Sequence, residues 1–186
     1  LIRAKYHIPQ NKNILIYQGM LLPGRGLIPL ISSLPFLPDS YFYIFGDGPL
    51  KSQLTELAKS LNIENRVIFA GIKNYDELHN WTCSADIGIC FIEPISVSYQ
   101  YALPNKLFEY CMAGIPTLAS NLFAIKEIID NNPIGKAIPF DSSPREIAVA
   151  IKEIFSNIDY YKEQTKIAAP KYCFESQTNT ILSLIK

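Results

Sequence analysis

The residues best placed to do chemistry lie in one run, Leu103-Pro104-Asn105-Lys106-Leu107-Phe108-Glu109-Tyr110-Cys111-Met112-Ala113-Gly114-Ile115-Pro116-Thr117-Leu118-Ala119-Ser120. Pro104 marks the start of a helix, and the first-turn amides of a helix have no partner inside it. Those N–H groups and the helix dipole favour an anion, a phosphate above all. Lys106 adds a full positive charge beside them. Glu109 follows about one turn later, where its carboxylate can accept hydrogen bonds from ribose hydroxyls. A phosphate donor followed at helical spacing by a sugar acceptor is what a nucleoside diphosphate requires. Alone, Lys106 and Glu109 would read as a surface i,i+3 pair worth ~0.3 kcal/mol. The run from this helix through Ala113-Gly114-Ile115-Pro116 into a buried strand favours the ligand reading instead.

Other candidates lie in loops that follow apolar strands. Asn13-Ile14-Leu15-Ile16-Tyr17-Gln18-Gly19 is a short apolar run ending in Gly, and Pro23-Gly24-Arg25-Gly26 comes after it. Arg25 there is either a solvated turn residue or a phosphate contact, and the local sequence leaves both open. Ser40-Tyr41-Phe42-Tyr43-Ile44-Phe45 is closed by Gly46-Asp47-Gly48-Pro49, the strongest turn signal in the chain. Its glycines form a turn and let a ligand approach the backbone, while Asp47 reads as a turn-former rather than a base.

Further strands are predicted over 66–70, 86–91, 115–119 and 136–138. Helices are predicted over 27–34, 50–61, 76–82, 105–112, 124–129, 158–168 and 174–185. Another opens at Pro144, with Ser143 as N-cap and Glu146 completing a capping box. Strands alternating with helices predict a parallel sheet flanked by helices on both faces, with ligands bound beyond the carboxyl ends of the strands. That rule selects the loops beginning at Gly19, Gly46, Gly71, Ile92 and Ser120. With no internal repeat and no low-complexity linker, one domain over 1–186 is the economical reading.

Composition narrows the function. Lys and Arg total 17 and Asp and Glu total 17, so the chain has no excess positive charge to neutralise a nucleic-acid backbone. Cys83, Cys90, Cys111 and Cys173 form no C-x-x-C pair, which argues against structural zinc and for buried reduced thiols in a cytosolic protein. No apolar run approaches the ~20 residues of a membrane span. The chain has no basic-then-apolar leader, and its opening at Leu1 rather than Met is expected of a segment of a longer protein. His7 and His79 read as surface or packing residues. Trp81, Tyr41, Phe42, Tyr43 and Phe45 read as core.

Pro104-Asn105-Lys106-Leu107-Phe108-Glu109-Tyr110 followed by Met112-Ala113-Gly114-Ile115-Pro116 resembles the signature of family 4 (group 1) glycosyltransferases of the GT-B fold. The likeness extends from about Ile14 to Ile185. Gly19 and Arg25-Gly26 resemble that family's phosphate-contacting first loop, and Phe45-Gly46-Asp47-Gly48-Pro49 its second-strand turn. Val67-Ile68-Phe69-Ala70-Gly71, leading to Ile72, resembles the strand whose following backbone holds the base. Ser84-Ala85-Asp86-Ile87-Gly88-Ile89 resembles the strand before the signature.

The resemblance implies a Rossmann-like carboxyl-terminal donor lobe, with the amino-terminal acceptor lobe absent and 170–186 forming a crossover helix. It implies a nucleotide diphosphate sugar, such as a UDP- or GDP-sugar, as donor and no metal. Glu109 would hold the ribose, and Arg25, Lys106 and the amides near Pro104, Asn105 and Leu107 would hold the diphosphate. The acceptor would be a glycan or lipid-linked, with retention at the anomeric carbon. The full-length protein would be cytoplasmic or peripheral at the cytoplasmic membrane face, and the fragment inactive by itself. One position departs from the pattern: eight residues before Glu109, where the family usually has a first Glu, stands Tyr101, a variant of the motif at a candidate donor-binding position. Glu93, in the same loop, is not equivalent by register. Two other readings keep the fold: a nucleotide-sugar epimerase, which would need further acids and histidines, or a non-catalytic interaction module, favoured by Tyr101. The first strand lacks a following G-x-G-x-x-G, which argues against a dinucleotide dehydrogenase.

Overall fold

The computed structural model describes residues 1–173 together with Ser176, Thr178, Leu182 and Ser183. The helix expected over 174–185 lies otherwise outside the described residues. Six strands form one all-parallel sheet: β1 (Asn13–Gln18), β2 (Ser40–Phe45), β3 (Val67–Gly71), β4 (Ile87–Cys90), β5 (Thr117–Ser120) and β6 (Gly135–Ile138). Their order across the sheet is β3-β2-β1-β4-β5-β6, the doubly wound arrangement expected of alternating strands and helices.

The period of two along each strand divides the core into two layers. Leu15 and Tyr17 of β1 join Phe42, Ile44, Ile87, Ile89 and Leu118 on one face. That face is covered by α2 (Leu27–Ser33), α3 (Lys51–Ser60) and α8 (Pro144–Ser156), through Leu30, Ile31, Leu54, Ile147 and Ile151. Ile14 and Ile16 join Tyr43, Phe45, Cys90 and Ala119 on the other face. There the cover is α1 (Ile2–Lys5), α6 (Asn105–Met112), α7 (Phe123–Asn131) and α9 (Ile158–Tyr172), with Trp81 of α4 (Tyr75–Thr82) packed alongside. Both layers are rich in Ile, Leu and aromatics because a parallel sheet is buried on both sides.

Most expected elements are present within a residue or two, including the capping box at Ser143 and Glu146. Three local features escaped pattern reading because each is a single turn, too short to show a period. These are α1, α5 (Val97–Gln100) and a 3-10 turn at Leu34–Phe36. The first is held by Ile2, fully buried, and by Arg3, whose guanidinium lies 2.7 Å from the Asp86 carboxylate. Asp86 also accepts the Ile14 amide at 2.7 Å, so it fastens α1 to the edge of β1. The helix expected over 158–168 continues through Pro170 to Tyr172. Of the four cysteines, Cys90 and Cys111 are buried as expected, whereas Cys83 is exposed and Cys173 half-buried. Tyr41 and Trp81 are half-buried at the margin of the core rather than within it.

The strand order reverses between β1 and β4, which pair only at Leu15 with Ile87 and Ile16 with Gly88. Beyond those positions Tyr110 of α6 enters the gap. Its ring occupies the space where a side chain at Gly88 would stand. Its hydroxyl accepts the Gln18 amide at 3.3 Å and lies 3.2 Å from the Ile89 carbonyl. The ring therefore does for the diverging strands what a ladder hydrogen bond does elsewhere. It also anchors α6 over the switch point, where ligands of such sheets bind.

Candidate functional site

The first turn of α6 sits above the ends of β1 and β4. Pro104 is the N-cap, with extended backbone (φ −78°, ψ 141°) and no side-chain cap. The amides of Asn105 and Lys106, at the first two helical positions, have no helical partners. The Leu107 amide turns back to the Pro104 carbonyl at 3.1 Å, and the Leu107 side chain is fully buried. The Leu107 side chain is thus part of the core, because the helix face it occupies points into the sheet.

Two cations converge beside this turn. The Lys106 ammonium lies 3.9 Å from the centre of the Tyr17 ring, and the Arg25 guanidinium 4.9 Å from the centre of the Tyr99 ring. Such contacts hold a cation over an aromatic face without neutralising it. Among the described residues neither side chain has a salt-bridge partner. Burial pushes the Lys106 ammonium down to about 8, with Cys90 and Glu109 opposing the shift and Arg25 adding to it. Burial likewise pushes the Cys90 thiol up to about 11, against the pull of Lys106 and Arg25. Gly19 leaves room for this arrangement: a Cβ there would lie 3.2 Å from Lys106 Nζ.

Glu109 faces the same space. Its Oε2 accepts a hydrogen bond from Gln18 Nε2, and Gln18 Oε1 lies 2.9 Å from the Thr82 hydroxyl. Gln18 and Thr82 are both buried. Three hollows meet at Gln18 and Leu78, which line all of them. One, of about 370 Å³, holds Arg25, Lys106, Glu109, Gly19, Pro104 and Asn105 together. A second, of about 520 Å³, runs behind Glu109 between α4 and α6, past Tyr75, His79 and Phe108. A third, of about 560 Å³, is bounded by Gly46, Asp47, Gly48, Ile72 and Lys73. Their sizes fall within the ~300–1,000 Å³ of small-molecule clefts.

The structure brings most sequence candidates to one place and removes others. Gly46 and Gly48 border the third hollow, but their missing side chains serve the protein itself. A Cβ on Gly46 would overlap the Gly19 carbonyl, and one on Gly48 would lie 2.6 Å from the Leu21 carbonyl. Gly26, the left-handed N-cap of α2, packs on Phe91, 2.5 Å from where its Cβ would stand. Gly71 gives its carbonyl to the Gly46 amide at 3.0 Å and leaves Ile72, 79% exposed, on the rim. Asp47 is a turn-former as expected, accepting the Gly48 amide at 2.8 Å. His79, read from sequence as a surface or packing residue, borders the Glu109 hollow because α4 runs alongside it.

Tyr101 is the largest displacement. It is exposed and lines a separate hollow with Pro94, Asn121, Phe123 and Phe140. Counting eight residues back from Glu109 assumes a regular path, whereas α5 ends at Gln100 and Pro104 is extended. Glu93 gives its amide to the Gly24 carbonyl at 3.0 Å and borders none of the three hollows around Gln18. Gln18, Thr82, Tyr17, Tyr75 and Leu78 are site residues that pattern reading missed. Only the polar Gln18 at the end of an otherwise apolar strand offered a signal. Among the described residues no cluster of His, Cys, Asp or Glu could hold a metal ion, and no helix is long and apolar enough to cross a membrane.

Comparison with known proteins bears on the family and the fold. The family model described as "Glycosyl transferases group 1" matches residues 1–171. The lipopolysaccharide core biosynthesis glycosyltransferase LpsD of Rhizobium meliloti is 30% identical over 122 residues, which cover 63% of this chain and 32% of LpsD. The chain therefore spans about a third of that relative's length. Among solved structures, Anabaena Alr3699/HepE in complex with UDP superposes with a TM-score of 0.80 at 18% identity, over 99% of this chain and 51% of that one. The C-terminal domain of the group 1 glycosyl transferase LpcC from Francisella tularensis gives 0.74 at 19% identity, over 92% and 91%. At these identities the structural likeness shows the fold, the carboxyl-terminal lobe of the GT-B architecture.

Proposed function

The chain belongs to the group 1 glycosyl transferases, and on that premise we propose that it holds the nucleoside diphosphate of a sugar donor at the α6 N-terminus. The diphosphate lies between Arg25, Lys106 and the amides of Asn105 and Lys106. The ribose hydroxyls meet Glu109, and the base rests against the backbone around Ile72. The observation that carries this reading is that Arg25 and Lys106 line one hollow with the Glu109 carboxylate, and neither cation has a salt-bridge partner among the described residues. Holding such cations together costs stability, and a bound dianion offsets the cost.

In the reaction the bond between the anomeric carbon and the diphosphate oxygen breaks. Negative charge gathers on the departing phosphate, and Arg25, Lys106 and the helix amides stabilise it where it develops. Stabilisation of this kind takes the place a metal would fill. LpsD acts in lipopolysaccharide core biosynthesis and HepE was solved with UDP. By analogy the donor here is a UDP- or GDP-sugar and the acceptor a glycan or lipid-linked, with retention at the anomeric carbon. Acceptor binding, catalytic base and any membrane association fall to other parts of a longer protein, so this segment binds donor without transferring it.

Isothermal titration of the chain with UDP, GDP and their sugars tests the reading. Saturable heats from at least one are expected, with affinity weakened in Lys106→Met. Silence from all of them at millimolar concentration would remove the proposal.

A further inference from the structure

Gln18 is the one buried carboxamide at the meeting of the three hollows, and its hydrogen bonds are unusually constrained. Its amide nitrogen faces Glu109 and its amide oxygen faces Thr82, 2.9 Å away. A carboxylate only accepts, so the nitrogen must point at Glu109. A flipped amide would set oxygen against oxygen. The Thr82 hydroxyl has a single proton and two acceptors in reach, Gln18 Oε1 and the Leu78 carbonyl at 2.8 Å. Giving it to Leu78 would leave the buried Gln18 oxygen facing a lone pair. The arrangement with every buried group satisfied runs in one direction: Thr82 donates to Gln18, and Gln18 donates to Glu109. Among the described residues Glu109 takes no other side-chain hydrogen bond, so its second oxygen stays open to the hollow.

We propose that Gln18 is a positioning residue. Tethered by Thr82, it fixes the Glu109 carboxylate so that one oxygen is occupied and the other is presented to a pair of ribose hydroxyls. The link crosses from α4 through the end of β1 to α6, joining the three elements that frame the site. A free Glu109 would have to lose rotamer freedom on binding, whereas a tethered one has already lost it in the fold. The inference rests on the reading of Glu109 as the ribose ligand.

The test is recognition of the pentose, measured by titrating UDP and GDP against their 2′,3′-dideoxy counterparts. In the native chain the dideoxy nucleotide is expected to bind about tenfold more weakly, the scale of a hydrogen bond to a charged group. Gln18→Leu should weaken the ribonucleotide by about tenfold, leave the dideoxy nucleotide unchanged and bring the ratio near one. Thr82→Val should reduce the ratio about threefold, since the tether is loosened but present. Gln18→Glu keeps the shape, so that loss of folding cannot mask the result; it should also lose the preference at pH 8 and regain part of it toward pH 5, where the introduced carboxyl can donate again. A merely structural role for Gln18 would lower affinity for both nucleotides alike and leave the ratio intact, which overturns the proposal. If the native chain itself does not distinguish the two nucleotides, the ribose reading of Glu109 fails, and this inference with it. If Glu109→Gln abolishes the distinction while both Gln18 variants keep it, the positioning role alone is overturned.

Discussion

Helices α6 and α8 both begin beside a proline, and they treat their first turns in opposite ways. At α8 the Ser143 hydroxyl accepts the Glu146 amide at 3.3 Å, and the Glu146 carboxylate accepts the Ser143 amide at 2.8 Å. Two amides of this end are satisfied by its own side chains, and an acid sits at the positive end of the dipole. At α6 the N-cap is Pro104, which has no side-chain acceptor, and the first turn carries Lys106 instead of an acid. The helix thus leaves its amides open and adds a cation where its dipole is already positive. A fold optimised only for stability would choose the α8 solution at both places. The contrast separates a helix end capped by its own side chains from one with no side-chain cap, where the proposed diphosphate would bind.

The largest expected effect of a substitution comes from Lys106→Met. By titration, affinity for the nucleoside diphosphate should fall by about 100-fold, the loss of a charge-assisted contact to phosphate. By thermal melting, the empty protein should become more stable at pH 7, because a buried unpaired charge is gone. Loss of binding together with a lower melting temperature would contradict the contrast.

The pH dependence of Lys106 sharpens the same point. Its folded value, about 8, lies below the ordinary 10.5. Well below pH 8 the ammonium is fully charged and its cost to the empty fold fully present. Between 8 and 10.5 the unfolded chain holds more protons than the folded one, so stability of the empty protein rises with pH from this group. A bound diphosphate favours the ammonium, so nucleotide affinity should be level below pH 8 and decline above it, with proton uptake on binding. Affinity that rises through that window would exclude Lys106 as a phosphate contact.

Smaller effects distinguish the two helix ends directly. Ser143→Ala should cost about 1 kcal/mol of stability in a denaturant titration and leave nucleotide affinity unchanged. Pro104→Ser gives α6 the hydroxyl acceptor that α8 has. It should weaken nucleotide binding about threefold, as an internal acceptor competes for the same amides. If Ser143→Ala weakens binding as much as Pro104→Ser, the two ends do not differ in function.

Much of this was legible before any coordinates. The alternation of strands and helices, the capping box of α8 and the placement of Lys106 and Glu109 one turn apart follow from short-range periodicity, which a sequence displays openly. Arg25 was visible as a basic residue between glycines, though the choice between solvent and site was not. Gly46 and Gly48 were legible as glycines but not for their reason, since the backbone they accommodate belongs to Gly19 and Leu21.

Local sequence was enough to specify which elements form, which faces they bury and that one helix carries a cation and an acid about one turn apart. The hydrogen-bonded chain from Thr82 through Gln18 to Glu109, the Tyr110 ring over Gly88 and the separate position of Tyr101 came from the folded arrangement alone. The physical reason is range. Propensity and periodicity act within a few residues, whereas the Gln18 contacts span 91 and 64 positions of chain and exist only once the sheet brings its strand ends together.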